Sequence, residues 1–246
     1  MTSMTTLAAR VALVTGASRG IGASVARSLA AEGALLSLVS REANTLGIAD
    51  ALATRCDVRD PAQVDAAAAA TAERFGGIDI VVANAGVGAY GDFVSLDLRE
   101  LDEIIDVNVK GLLYTVRSTL PYLMRSAAAD LIVIASVAGQ AGPAGEAVYA
   151  ASKFAQVGFV RSIDHELWHR GVRCQMLCPG GVATDFAMGR GRTPDDPDLA
   201  NFMTPDEVAQ LVIQTLRRPR THRVLEANML PMAEDSMACR STTPSI

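Results

Sequence analysis

Two kinds of apolar pattern alternate along the chain. Short runs rich in Val, Ile and Leu occur at Val11–Val14, Leu35–Val39, Ile78–Ala83, Leu131–Ala135 and Val172–Leu177. Between them lie longer stretches with helical periodicity: Ile21–Glu32, Pro61–Arg74, Asp97–Arg125, Tyr149–Arg170 and Pro205–Arg217. The short runs are close to continuously apolar, the pattern of strands covered on both faces. Repeated strand–helix alternation predicts a doubly wound parallel α/β sheet in three α/β/α layers. Right-handed crossovers then gather the C-terminal strand ends on one edge, where such sheets bind ligands.

Punctuation agrees with this pattern. Thr204-Pro205-Asp206-Glu207 supplies an N-cap, a proline at the first helical position and acids in the first turn. Residues Gly189 to Asp198, rich in Gly, Pro, Arg and Asp, read as a loop. No repeat or linker divides the 246 residues, so a single domain is expected, with a core of about residues 9–230 and a loosely packed polar tail over 232–246.

A net charge of -5 argues against a nucleic-acid binder, which needs clustered Lys and Arg. The one basic cluster, Arg217, Arg218 and Arg220, reads as a solvated helix end. Cys56, Cys174, Cys178 and Cys239 lack metal-ligand spacing, so no metal is expected. Reduced buried thiols and a cytoplasmic location follow. Met1 to Ala9 has no signal-peptide character, and no apolar run approaches the ~18 residues of a membrane span.

The first apolar run leads through Thr15-Gly16-Ala17-Ser18-Arg19-Gly20-Ile21-Gly22 into a helix. Glycines at 16, 20 and 22 allow a tight turn and close approach of a pyrophosphate to the helix N-terminus. Nucleotide choice belongs to the end of the second run, Val39-Ser40-Arg41, with no acid before Glu42. An acid there would favour NAD by holding the ribose hydroxyls. Ser40 and Arg41, with Arg19, suit a 2′-phosphate instead, which favours NADP.

Chemistry is suggested further along. In Tyr149-Ala150-Ala151-Ser152-Lys153 a spacing of four puts phenol and ammonium on one helix face. The ammonium stabilises a phenolate, so Tyr149 can act as acid and base. Ser136 follows the fifth strand, Asn84-Ala85-Gly86 the fourth and Pro179-Gly180-Gly181 the sixth, all at the binding edge. Asn108 sits within the helical stretch Asp97–Arg125, where an amide is a mediocre helix former.

Taken together, Thr15-Gly16-x3-Gly20-x-Gly22, Cys56-Asp57-Val58, Asn84-Ala85-Gly86, Asn108-Val109, Ser136, Tyr149-x3-Lys153 and Pro179-Gly180 resemble the short-chain dehydrogenase/reductase family. The resemblance spans roughly Ala9 to Met229 and implies a Rossmann-type fold. It implies a catalytic tetrad of Asn108, Ser136, Tyr149 and Lys153. Tyr149 would exchange the proton, Ser136 orient the substrate oxygen, and Lys153 hold the nicotinamide ribose and lower the Tyr149 pKa. Asn108 would anchor a relay water. Asp57 and Val58 would meet the adenine, Asn84 to Gly86 the middle of the cofactor, and Val182 and Thr184 the carboxamide. Homotetramers or homodimers are implied, touching through the helices ending at Arg125 and Arg170.

The chain departs from the family pattern in three places. Ala83 replaces a frequent Asn, and the segment from Arg41 to Ala53 leaves room for a helix of only a turn or two. Val224 to Pro231 is closer to the branch that reduces small semialdehydes or oxidises 3-hydroxy acids than to β-ketoacyl-carrier-protein reductases.

The substrate is expected to be a small carbonyl or alcohol. Its pocket should be lined by Val87–Tyr90, Val137–Glu146, Gly181 and the Asp185–Phe202 loop. Gln140, Glu146, Arg190 and Arg192 offer polar contacts there, and Phe186, Met188 and Phe202 apolar ones. An NADP(H)-sensing protein, an epimerase or dehydratase with bound cofactor, and an NAD-dependent alcohol dehydrogenase are the alternatives.

Overall fold

In the computed structural model, which describes residues 5–233, the apolar runs are strands of one parallel sheet. The strands are β1 (Val11–Thr15), β2 (Leu35–Ser40), β3 (Leu52–Arg55), β4 (Ile80–Ala83), β5 (Asp130–Ile134), β6 (Arg173–Pro179) and β7 (Glu226–Met229). Their order, β3-β2-β1-β4-β5-β6-β7, reverses direction between β1 and β4, the switch point of a doubly wound sheet. The main helices are α1 (Gly20–Ala31), α2 (Pro61–Phe75), α3 (Leu98–Ile105), α4 (Gly111–Leu123), α5 (Ala147–Leu167) and α6 (Pro205–Leu216).

Successive strand residues feed opposite layers, which explains the continuous apolar runs. Ala12 and Val14 of β1 pack with Val25 and Leu29 of α1 and Val212 of α6. Leu13, between them, packs with Val64 of α2, Val116 of α4 and Val160 of α5. The helix ends follow local chemistry. Asp60 accepts from the Ala62 and Gln63 amides, and Gly76 closes α2 in the left-handed region at φ 88°. Thr204 and Glu207 form a reciprocal capping box on α6.

Three features differ from the sequence expectation. The edge strands β3 and β7 carry no apolar run; they are short and half-buried, and only their pairing with β2 and β6 makes them strands. No helix forms between Arg41 and Ala51, where Leu46 and Asp50 take positive φ of 55° and 59°. The stretch Asp97–Arg125 is two helices joined by a π segment, Asp106–Lys110. Residues 234–246, with Cys239 and most of the expected tail, lie outside the described residues.

Arg220 is no solvated helix end. At the edge of the sheet away from the glycine turn, the fully buried Asp130 carboxylate takes Arg173 Nε at 2.6 Å, Arg10 Nη2 at 2.7 Å and Arg220 Nη1 at 3.2 Å. β5, β6, the residue leading into β1 and the segment after α6 are thereby fastened to one anion. Removing that anion would strand buried cations. Asp130→Ala is expected to cost about 3–5 kcal/mol in urea denaturation; a cost below about 1 kcal/mol, typical of exposed pairs, would show the cluster to be solvated.

Candidate functional site

The C-terminal strand ends enclose a cavity of about 620 Å³ running from the glycine turn to Tyr149. Of the residues singled out in the sequence, Gly16, Ser18, Arg19, Gly20, Ile21, Ser40, Arg41, Asp57, Val58, Asn84, Ala85, Gly86, Ser136, Tyr149, Lys153, Pro179, Gly180, Val182 and Thr184 line it. Gly22 and Asn108 lie behind the wall.

At the switch point, the Thr15 hydroxyl accepts from the Asn84 and Ala85 amides, each at 3.1 Å. The Asn84 side chain donates to the carbonyls of Thr15 at 3.0 Å and Gly16 at 3.2 Å. This lattice leaves no room for side chains. A Cβ on Gly22 would stand 2.3 Å from the Gly16 carbonyl oxygen, and one on Gly16 2.9 Å from Ala85 Cα. Gly16 also needs its positive φ of 64°. No side chain caps the start of α1, so its first amides face the cavity and suit a phosphate.

The far end is basic. Arg19, Arg41 and Arg59 all line it. Arg59, which the sequence pattern did not single out, grips Asp57 with Nε at 3.0 Å and Nη2 at 2.6 Å. That guanidinium holds the Asp57 carboxyl below the usual aspartate value. Arg41 is largely exposed, with Nη1 3.9 Å from Glu103. Ser40 departs from its expected role: its hydroxyl donates to the Glu42 carbonyl, so it is not turned toward a ligand.

At the other end, Tyr149 and Lys153 occupy adjacent turns of α5, with Nζ 5.7 Å from the phenol ring centroid. Burial pushes the Tyr149 phenol above its ordinary value, opposed by a side-chain hydrogen bond with Ser136. Lys153 is pushed down to about 8, mainly by burial. Its ammonium donates to the Ile134 carbonyl at 3.1 Å and to Gln156 Oε1 at 2.9 Å.

Asn108 occupies the π segment, a widening that suits an inward amide. Fully buried, it accepts from the Val87 amide at 2.8 Å and donates to the Val87 carbonyl and Ser152 Oγ, both at 2.9 Å. It therefore locks the strand end after β4 onto α5. Its own carbonyl accepts from Gln156 Nε2 at 2.7 Å. Ser152 and Gln156 escaped the sequence reading because a buried polar residue on an apolar helix face leaves no motif.

Beside Tyr149 the cavity is aromatic. Tyr90 and Phe186 stand 5.9 and 5.5 Å from the Tyr149 ring, centroid to centroid. Arg192 lies over Tyr90 and Phe202 at 5.7 and 5.0 Å and donates to the Phe186 carbonyl. Glu146, Asp185 and Asp198 also line this end. Of the seven polar and apolar contacts expected from Gln140, Glu146, Phe186, Met188, Arg190, Arg192 and Phe202, three are elsewhere. Arg190 is drawn away by ion pairs with Glu100 and Glu103, Gln140 by hydrogen bonds to Glu226 and Asn228, and Met188 by its bridge to Arg192.

Cys56, Cys174 and Cys178 are buried free thiols, each pushed up by burial. Among the described residues, no His, Cys, Asp and Glu cluster could hold a metal ion, and no helix is long and apolar enough to cross a membrane.

Comparison with known proteins agrees with this geometry. Residues 10–195 match the family model described as short chain dehydrogenase. The oxidoreductase UcpA of Salmonella typhimurium is 39% identical over 204 residues, covering 78% of this chain and 77% of that protein. The ketoacyl reductase HetN of a Nostoc species is 33% identical over 238 residues, 92% of this chain and 81% of that one. Among solved structures, an alcohol dehydrogenase from the archaeon Thermococcus sibiricus, complexed with 5-hydroxy-NADP, superimposes with a TM-score of 0.83 at 32% identity. That match covers 92% of this chain and 98% of the archaeal one. The chain belongs to the short-chain dehydrogenase family of oxidoreductases.

Proposed function

We propose that this chain transfers a hydride between NADP(H) and a small carbonyl or alcohol, with Tyr149 as the acid/base. The observation that carries the reading is the meeting of Tyr149, Ser136 and Lys153 at one end of a cavity whose other end is a side-chain-free glycine turn ringed by arginines. Gly16, Gly20, the first turn of α1 and Asn84–Gly86 would hold the cofactor's phosphates and middle. Val182 and Thr184 would meet its nicotinamide end, where the bound cofactor supplies or takes the hydride.

Ser136 and Tyr149 are within hydrogen-bond reach of each other, so a substrate oxygen that replaces their shared bond meets both hydroxyls as donors. Burial keeps the phenol protonated, the form that gives its proton to an oxygen gaining negative charge during reduction. In the opposite direction the phenolate must form, and the Arg192 guanidinium and Lys153 ammonium are the cations placed to stabilise it. Tyr90, Phe186 and Phe202 favour a compact substrate with an apolar body. Apolar Leu113 on α4 and Phe154 on α5 are exposed, which supports a homodimer or homotetramer formed through these helices.

Preference for NADP rests on Arg19, Arg41 and Arg59 and on Ser40 standing where an acid would repel a 2′-phosphate. The Thermococcus enzyme, complexed with an NADP derivative, supports the same choice. With Ser40 bonded to Glu42, the arginines carry the preference.

Three measurements test this reading. Tyr149→Phe is expected to lower turnover of a reactive carbonyl by roughly 10²–10⁴-fold with NADPH binding retained; undiminished turnover would sink the acid/base role. Arg41→Ala is expected to raise the KM for NADPH roughly tenfold and leave NADH nearly untouched; equal losses would assign Arg41 to the adenine alone. The third is a stability measurement on Lys153. Its ordinary value is 10.5 and its folded value about 8. Across that window the unfolded chain holds the proton and the folded chain releases it, so stability rises with pH. Lys153→Met is freed of this cost, a margin of roughly 1–3 kcal/mol at neutral pH, which the loss of the hydrogen bonds to Ile134 and Gln156 offsets in part. Thermal melts should show that margin shrinking between pH 8 and 10.5, while turnover is lost throughout.

A further inference from the structure

Gln156 lies one helical step beyond Lys153, on the same face of α5, with only 3% of its surface exposed. Its side chain spans two groups of the site, accepting from Lys153 Nζ at 2.9 Å and donating to the Asn108 carbonyl at 2.7 Å. The orientation of the amide is forced. An ammonium can only donate and a carbonyl can only accept, so a flipped amide would lose both bonds. We propose that Gln156 is a positioning residue, whose one amide ties the Lys153 ammonium to the Asn108 carbonyl, holds that ammonium protonated and aimed, and occupies one of the carbonyl's two lone pairs. The inference rests on the hydride-transfer reading for its purpose, though not for its geometry.

The surroundings of Lys153 give the amide its importance. The titratable groups facing it are Tyr149 on its own helix and the Cys178 thiol from β6. From β5 it meets the Ile134 carbonyl, and from the π segment Asn108 reaches it only through Gln156. Both titratable neighbours are neutral at neutral pH, since burial pushes each upward. No formed anion among these neighbours pairs with the ammonium, and burial, partly offset by Cys178, brings it down to about 8. Two dipolar oxygens, those of Ile134 and Gln156, thus keep it charged where Tyr149 needs a cation. A hydrogen bond to a charged donor moves a midpoint by about one to two units, enough to decide the protonation state near neutrality.

The Asn108 carbonyl is the other half of the device. The sequence resemblance implied a relay water anchored by Asn108, but its side chain is consumed by Val87 and Ser152 and its carbonyl accepts from Gln156. The carbonyl keeps a second lone pair, so any relay water there shares that oxygen with Gln156.

The composition makes the test clean, because Lys110 and Lys153 are the only lysines in the chain. Isotope labelling of lysine Cε therefore gives two NMR signals, with exposed Lys110 as the internal control. In the ligand-free protein, Gln156→Val is expected to lower the Lys153 midpoint by about one unit or more. Gln156→Glu, which supplies an anion and carries the test if the valine variant fails to fold, is expected to raise it. The alkaline limb of the turnover profile should shift in the same direction as each midpoint. An unmoved Lys153 midpoint in folded Gln156→Glu overturns the proposal. A parent protein silent toward every carbonyl offered overturns the hydride-transfer reading instead, and the NMR titration still decides Gln156.

Discussion

The binding edge depends on how the divergence between β1 and β4 is stitched. These neighbouring strands lead to opposite sides of the sheet, and the gap between their ends would expose unpaired backbone groups. Thr15 and Asn84 close it with hydrogen bonds that also draw the glycine turn against the start of the Asn84–Gly86 segment. That proximity makes Gly22 and Gly16 obligatory, since a Cβ at either would collide with backbone. It also aims the uncapped start of α1 into the cavity. The bed proposed for a pyrophosphate is a consequence of satisfying backbone polar groups at a topological reversal.

The rest of the site runs against ordinary folding economy. A lysine, an asparagine, a serine and a glutamine are buried together between α5, the π segment and β5. Each needs a partner to be tolerated there. The described contacts provide them: Asn108 with Val87 and Ser152, Gln156 with Lys153 and the Asn108 carbonyl, and Lys153 with Ile134. The π segment is part of this arrangement, because the widened turn presents both the Asn108 side chain and its carbonyl inward. A network in which each buried polar group is paired fixes these side chains relative to one another.

How much of this was legible in the sequence depended on range. The inner strands showed themselves because both faces are buried, so nearly every residue had to be apolar. β3 and β7 did not, because an edge strand is created by its neighbour and leaves no periodicity. The glycine turn and the Tyr149–Lys153 pair were visible as fixed spacings within one element. Arg59 and Gln156 were not, since their importance arises from Asp57 and Asn108, contacts set by local loop shape and by helix packing. Arg190 misled for the reverse reason: a loop arginine near the pocket in sequence was claimed by Glu100 and Glu103. Ser40 shows a subtler limit, for the residue lines the expected place but its hydroxyl already has a nearer acceptor.

The last described segment has a bearing on how the chain matures. Gly180 donates to the Met229 carbonyl, β7 pairs with the strand that carries Cys178 and Pro179, and Pro231 and Ala233 stand in the wall of the cavity. During synthesis the glycine turn and the Asn84–Gly86 segment facing it emerge while more than half of the polypeptide is still to come. The chamber around Tyr149 is closed only when residues 226–233 have left the ribosome. A translation product truncated just before them would carry a nucleotide cradle beside an open chamber, and quality control rather than catalysis would decide its fate.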